Sequence, residues 1–272
     1  MPATPLTTTY VAKPWGRTDL PEGFGPVAGR DRIGELWFDA PQGRALPLLV
    51  KYIFTSEKLS IQVHPDDAQA RAKGLPGGKS ECWYILDAQP GATLGIGTVR
   101  PLDDTALRAA ALDGSIEGLI DWKPVKPGDF FYIPAGTVHA IGAGVTLVEV
   151  QQNNDITYRL YDYGRPRALH LDEGVRVSRA EPYPLPNRNV APGQALRLLT
   201  EGDAPFTLDM IAWDAGSAVT LPPTMLWFIP LSGAGLVDGK PWQGGECWLL
   251  EDNPTITIAK PTTGFMAWQA NI

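Results

Sequence analysis

Apolar runs in this chain of 272 residues are short, and glycine or proline breaks them again and again. The stretches IGELWF (33–38), LPLLVKYIF (46–54), LSIQVH (59–64) and ECWYIL (81–86) have strand length and are bounded by turn residues. The 29 glycines and 26 prolines are scattered, and with nine tryptophans and many Val, Ile, Tyr and Phe they point to strands joined by tight turns. The expected class is therefore all-β with a little helix. Helical character is confined to two places. In PDDAQARAKG (65–74), Pro65 suits a first turn, Asp66 and Asp67 complement the helix dipole, and Gly74 ends it. The Ala/Leu-rich DDTALRAAALDG (103–114) belongs to a helical insert over about 101–121, with Asp103 or Asp104 as its N-cap. The segment before residue 33 reads as irregular.

A hydrophobic fraction of 44% is enough to build the core of one large β domain or of two modest ones. The proline-rich EPYPLPNRNVAPG (181–193) reads as a linker, which divides the chain into residues 1–185 and 186–272. The second part echoes the first: MLWFIPLSGAG (225–235) parallels ECWYILDAQPG (81–91), and GGECWLLED parallels PGDFFYIPA. Met225 stands where Glu81 stood, and all three histidines, His64, His139 and His170, precede the linker. Metal chemistry is accordingly expected in the first part only.

The net charge of −7 argues against a nucleic-acid or anionic-membrane surface, since either needs a basic face to neutralise phosphates. Cys82 and Cys247 lie far apart beside tryptophans in apolar runs and read as buried free thiols. No basic-then-apolar leader and no membrane-length apolar run is present, so a reduced, cytoplasmic setting is expected.

Within IQVHPDD, Gln62 and His64 are two positions apart on a strand and project to the same side. For such a pair alone a solvated sheet face is the simpler account. Further on, Gly128, Pro134, Gly136 and His139 form G-x5-P-x-G-x2-H, in which a strand ends in a tight turn that re-aims the next strand and its histidine toward a barrel mouth. This pattern resembles the second cupin motif; Gln62-x-His64 and Glu81 take the places of the first motif's H-x-H and glutamate. The set Gln62, His64, Glu81 and His139 suits a divalent ion such as Zn²⁺, with two imidazoles and a carboxylate as strong ligands and an amide oxygen as a weak one. His139 alone could be a satisfied core histidine, and Glu81 alone a lysine's partner; their joint occurrence at these spacings favours the metal.

Four blocks in order, LPLLVKYIFTSEKLSIQVHPDD, GKSECWYIL, PGDFFYIPAGTVHAIG and QQNNDITYRLYDYGR, resemble those of the type I phosphomannose isomerases in their short bacterial form, over roughly residues 10–175. The resemblance implies a cupin jelly-roll barrel with a helical insert and a second, degenerate cupin-like β domain. It implies one Zn²⁺ per chain on Gln62, His64, Glu81 and His139, and a phosphorylated hexose as substrate for aldose–ketose isomerisation between mannose 6-phosphate and fructose 6-phosphate. It places the reacting-end arginine on Arg159, acidic positions on Glu149 and Asp155, and lysines on Lys51 and Lys79. Lys79, two positions before Glu81 on an ideal strand, is the first candidate for the base, with a pKa expected to fall beside the metal and Arg159. Lys51, Ser56, Lys58 and Arg165 are candidates for the phosphate. Gly78 departs from the pattern, standing where several relatives have a histidine. A monomer or weak homodimer is expected. A catalytically silent sugar-phosphate-binding cupin and a metal-dependent cupin oxygenase are the alternatives.

Overall fold

Antiparallel pairing organises the computed structural model, which describes residues 3–25 and 31–269, into three sheets. The first, of seven strands, runs in the order Arg188–Asn189, Asp129–Ile133, Glu81–Ala88, Val145–Gln152, Leu48–Phe54, Ile33–Asp39, Thr7–Arg17. It faces a five-stranded sheet ordered Tyr158–Tyr161, Ile61–Val63, His139–Ile141, Thr93–Thr98, Ile120–Pro124. The third sheet gathers the C-terminal strands, with the long Leu226–Val237 and Ile256–Gln269 at its centre. The mostly-β class expected from the short apolar runs is the class observed. Among the described residues, no helix is long and apolar enough to cross a membrane.

Period-two alternation builds two cores from one sheet. Leu36, Phe38, Val50, Tyr52, Phe54, Cys82, Tyr84, Val148 and Val150 point outward and pack against Phe206, Leu208, Trp227, Ile229 and Phe265 of the C-terminal sheet. Their alternates Ile53, Trp83, Ile85, Phe131, Ile133 and Leu147 point inward, toward the five-stranded sheet. The inward face is also where Glu35, Lys51, Glu81 and Glu149 fall, all of them buried. Charged side chains on a core face mark the site.

The helical insert consists of Asp104–Asp113, capped by the Asp103 side chain, and Ile116–Leu119. In the helix Asp67–Arg71, Asp66 is the N-cap and forms a capping box with Gln69. Three features differ from the expectation. The N-terminal segment is not irregular: Thr7–Arg17 pairs with Ile33–Asp39, and Ala3–Pro5 pairs with Trp248–Leu250 across the two parts of the chain. A short threonine-rich stretch becomes a strand only because a distant partner offers its edge. A further helix, Leu171–Val177, was not expected; Gly174 lowers its propensity but lies against Leu160, where an added Cβ would come within 2.7 Å of Cδ2. The proline-rich segment is docked rather than loose: Arg188–Asn189 pairs with Phe130 and Asp129, and the Tyr84 hydroxyl donates to the Val190 carbonyl at 3.0 Å.

Candidate metal centre and active site

Register brings the expected residues together. In the five-stranded sheet Gln62 lies between His139 and Arg159, directly opposite each. In the facing sheet Glu149 lies between Lys51 and Trp83, and Gln151 is opposite Glu81. A cavity of about 250 Å³ between the two rows is lined by Lys51, Gln62, Lys79, Glu81, Glu149, Asp155 and Arg159, among others.

Beside this cavity His64 and His139 are fully buried. Each Nδ1 faces a backbone carbonyl, Ile156 at 2.9 Å for His64 and Thr137 at 2.8 Å for His139. A carbonyl oxygen only accepts, so each Nδ1 carries the proton and each Nε2 is a bare lone pair. Burial pushes the His139 pKa down to about 4 and that of His64 well below the ordinary value, with the Lys79 charge adding to both shifts, so both rings are neutral near pH 7. Nε2 of His64 lies 3.5 Å from Glu81 Oε2, and Nε2 of His139 lies 3.4 Å from Oε1. Ligands at about 2.0–2.1 Å in a tetrahedron are about 3.3–3.4 Å apart. The neutral, carbonyl-anchored rings, with one donor atom from each residue all within 4.8 Å of one another, fit a metal ion on His64, Glu81 and His139. Gln62 donates from Nε2 to His139 Nε2 at 3.3 Å while its Oε1 accepts from Ser60 Oγ at 3.0 Å, so in this orientation it offers the trio an amide nitrogen, which is no ligand.

The cations have separate environments. Lys79 Nζ is 3.0 Å from both His64 Nε2 and Glu81 Oε2. Burial lowers its pKa, but Glu81 and Glu149 outweigh burial and hold it above the ordinary lysine value. The nearest charges to this amine in the metal-free chain are thus carboxylates, opposite in sign to the metal and guanidinium beside which its pKa was expected to fall. Lys51 Nζ lies 3.3 Å from Glu149 and 4.6 Å from the centre of the Trp37 ring. Glu149 also accepts from Trp83 Nε1 at 2.9 Å, and burial, joined by the Glu81 charge, raises its pKa despite the lysines. No ion pair engages Arg159 among the described residues; Asp162, three residues on, is occupied by Arg167 through two bonds of 2.6 Å and by Arg165. Burial, with Arg167 adding, pulls the Arg159 pKa down from the ordinary guanidinium value.

Ser56, Lys58 and Arg165 do not line this cavity. Ser56 Oγ donates to the Gly16 carbonyl at 2.6 Å, Lys58 pairs with Glu117 at 2.5 Å, and Arg165 bridges Asp162 and Glu57. In their place the cavity wall includes Lys13, Glu35, Arg167 and His170, which sequence reasoning missed. Glu35 receives Lys13 at 3.1 Å and Trp37 Nε1 at 2.5 Å, and its carboxyl, raised by burial, is brought below the ordinary range by Lys51 and Lys13. A charged residue inside IGELWF was the available signal for it. His170 accepts from the Arg159 backbone N–H at 3.2 Å.

The neutral imidazoles have a measurable consequence. In metal-stripped protein the unfolded chain protonates at the ordinary histidine pKa while folded His139 resists until about pH 4. Stability carried by that ring is therefore complete above about pH 6.5 and declines as pH falls toward 4, by about 3 kcal/mol in all. Urea midpoints taken at steps between pH 7.5 and 4 should show this slope in the parent chain and a shallower one in His139→Asn, where of the two buried rings only His64 remains; equal slopes would refute it.

The chain is 41% identical over 165 residues to the mannose-6-phosphate isomerase ManA of Bacillus subtilis, covering 56% of this chain and 52% of that protein. It is 35% identical over 214 residues to YvyI of the same organism, provisionally named a mannose-6-phosphate isomerase, covering 64% of this chain and 67% of that protein. The match thus spans about half the length of ManA and of further curated relatives. The crystal structure of a mannose 6-phosphate isomerase from Bacillus subtilis superposes with a TM-score of 0.81 at 26% identity, over 98% of this chain and 100% of that one. No protein-family model matches the chain.

Proposed function

The chain belongs to the mannose-6-phosphate isomerase family, and from that premise we propose that it interconverts mannose 6-phosphate and fructose 6-phosphate by proton transfer between C2 and C1 through an enediol. The observation that carries this reading is the meeting, at one cavity and the wall beside it, of two unprotonated imidazole nitrogens, a carboxylate and a guanidinium that no ion pair engages among the described residues. His64, Glu81 and His139 would hold a metal ion, which we take to be Zn²⁺ from the mixed nitrogen and oxygen donors, and it would supply Lewis-acid polarisation of the sugar oxygens. Arg159 would hold the negative oxygen of the enediolate, for which a fixed, partly desolvated cation needs no reorganisation. The base is assigned to Glu149 rather than Lys79: its raised pKa suits a carboxylate that must take a proton and return it, whereas the Lys79 ammonium, held by two carboxylates, suits donation to a substrate hydroxyl. Lys13 and Arg167 are further cations on the cavity wall and are the candidates for the phosphate, each in exchange for the carboxylate it now holds. Residues 1–185 would carry the chemistry, with 186–272 as the β platform under the first sheet.

The test is a coupled isomerase assay with metal analysis on one preparation. Chelation is expected to abolish turnover and Zn²⁺ to restore it; undiminished turnover by protein shown to be metal-free would falsify the proposal. Binding of mannose 6-phosphate by Zn²⁺-loaded protein without turnover would point instead to a silent sugar-phosphate-binding cupin.

A further inference from the structure

The candidate ligands and the cavity carboxylate come from four separate segments, and they must hold their places to within a fraction of an ångström for one ion to meet them. Backbone pairing within each sheet does not secure this, because His139 and the strand Ile61–Val63 that leads into His64 belong to one sheet and Glu81 and Glu149 to the other. At one end of the site the four segments are tied by side chains that do not line the site cavity. Asp67, three residues after His64, accepts through Oδ1 from the Gly78 N–H at 2.7 Å and from Gln152 Nε2 at 2.9 Å. Gln152, three residues after Glu149, accepts through Oε1 from the Ser80 N–H at 2.9 Å. Ser80 Oγ accepts from the Ala135 N–H at 3.1 Å, and the next residue, Gly136, donates to the His64 carbonyl at 2.8 Å. The circuit returns to its start.

Gly78 shows how tightly it is drawn. A Cβ there would stand 2.6 Å from Asp66 C, 2.7 Å from Asp67 N and 2.8 Å from Pro65 O, contacts that only backbone displacement could relieve. The strand leading to Glu81 thus lies directly on the turn that follows His64, and the Lys79 N–H donates to the Pro65 carbonyl at 3.0 Å. The same closeness leaves no room for a side chain at position 78.

We propose that Asp67, Gln152 and Ser80 are positioning residues that hold His64, Glu81 and His139 at metal-binding separation across the two sheets. The inference rests on the metal reading of the site. Asp67 is the node, because its Oδ1 alone takes two donors from two different segments. Without it the Gly78 N–H and the Gln152 amide lose their partner, and the strand before Glu81 is free to part from the turn after His64.

The neighbouring Asp66 provides the control. It caps the same helix through Gln69 and makes no contact in the circuit, so Asp66→Ala weakens the helix and leaves the belt intact. Zn²⁺ affinity is measured by competition with a chromophoric chelator, beside thermal midpoints, for the parent chain, Asp66→Ala, Asp67→Ala and Asp67→Asn. Asp67→Ala is expected to weaken Zn²⁺ binding about 10–100-fold, the range typical of residues that orient metal ligands. Asp67→Asn keeps an acceptor oxygen and is expected to restore most of the loss. Asp66→Ala is expected to lower the thermal midpoint without changing Zn²⁺ affinity. If Asp67→Ala does not fold, Gln152→Leu removes the amide from both its partners at a strand end and should show the same loss. Parent-like affinity in the folded Asp67 or Gln152 variant, or an equal loss in Asp66→Ala, overturns the belt while the metal centre stands. A parent chain without Zn²⁺ affinity overturns the metal reading, and the belt with it.

Discussion

Arg159→Ala is expected to lower kcat by about 10²–10³-fold, the usual effect of losing one fixed electrostatic stabiliser, with little change in KM or in metal content. Arg159 stands beside Gln62 in register, lines the cavity, and has no ion pair among the described residues. A guanidinium already engaged by a carboxylate would have half its charge answered before substrate arrived. Here Asp162 is taken up by Arg167 and Arg165, which leaves Arg159 available for charge that appears only on the reacting sugar. The same assay separates the stabiliser from the base. Glu149→Gln should stop exchange of the substrate C2 proton with solvent, while Arg159→Ala should retain slow exchange. If Lys79→Ala stops that exchange and Glu149→Gln does not, the base is Lys79 and the assignment made from the raised carboxylate pKa is wrong. A rise confined to KM in Arg159→Ala would assign the arginine to ground-state binding instead.

His139→Ala should leave a folded chain that neither retains metal nor turns over substrate. The ring contributes one of the three donor atoms, and its removal leaves Glu81 and His64 as an incomplete pair. Loss of a direct ligand should exceed the about 10–100-fold weakening typical of outer partners. The fold should survive because the backbone pairs of His139 with Gln62 and Ile96 do not depend on the side chain. The buried gap costs about 1–3 kcal/mol, a common size for a core substitution. Stoichiometric metal in purified His139→Ala would show that the ion is held elsewhere.

How much of this could be read from the chain alone depended on the range of the interaction involved. Alternation is local: two residues per strand repeat suffice to put Gln62 and His64 on one side, and Ile53 and Trp83 on the face opposite to Tyr52 and Tyr84. Helix starts are local too, which is why the pairs Asp66–Asp67 and Asp103–Asp104 stand out in the chain, while the structure shows Asp66 and Asp103 to be the caps. The turn at Pro134–Gly136 that delivers His139 involves a glycine with φ of +87°, a conformation other residues rarely take, so it leaves its mark in the residue type. Pairing partners leave no such mark. Nothing within Ala3–Pro5 names Trp248–Leu250 as its neighbour, and nothing within Thr7–Arg17 announces the edge at Ile33–Asp39. The fate of each charge was equally invisible, because it depends on which opposite charges the fold brings within a few ångströms. Lys58 and Arg165 met Glu117, Glu57 and Asp162 outside the cavity, while Arg167 and Lys13 came to line it. Lys79 shows the limit most directly: its place two residues before Glu81, the carboxylate that does most to raise its pKa, is written in the chain, but the Glu149 carboxylate that adds to Glu81 is brought near only by antiparallel pairing of Val145–Gln152 with Glu81–Ala88.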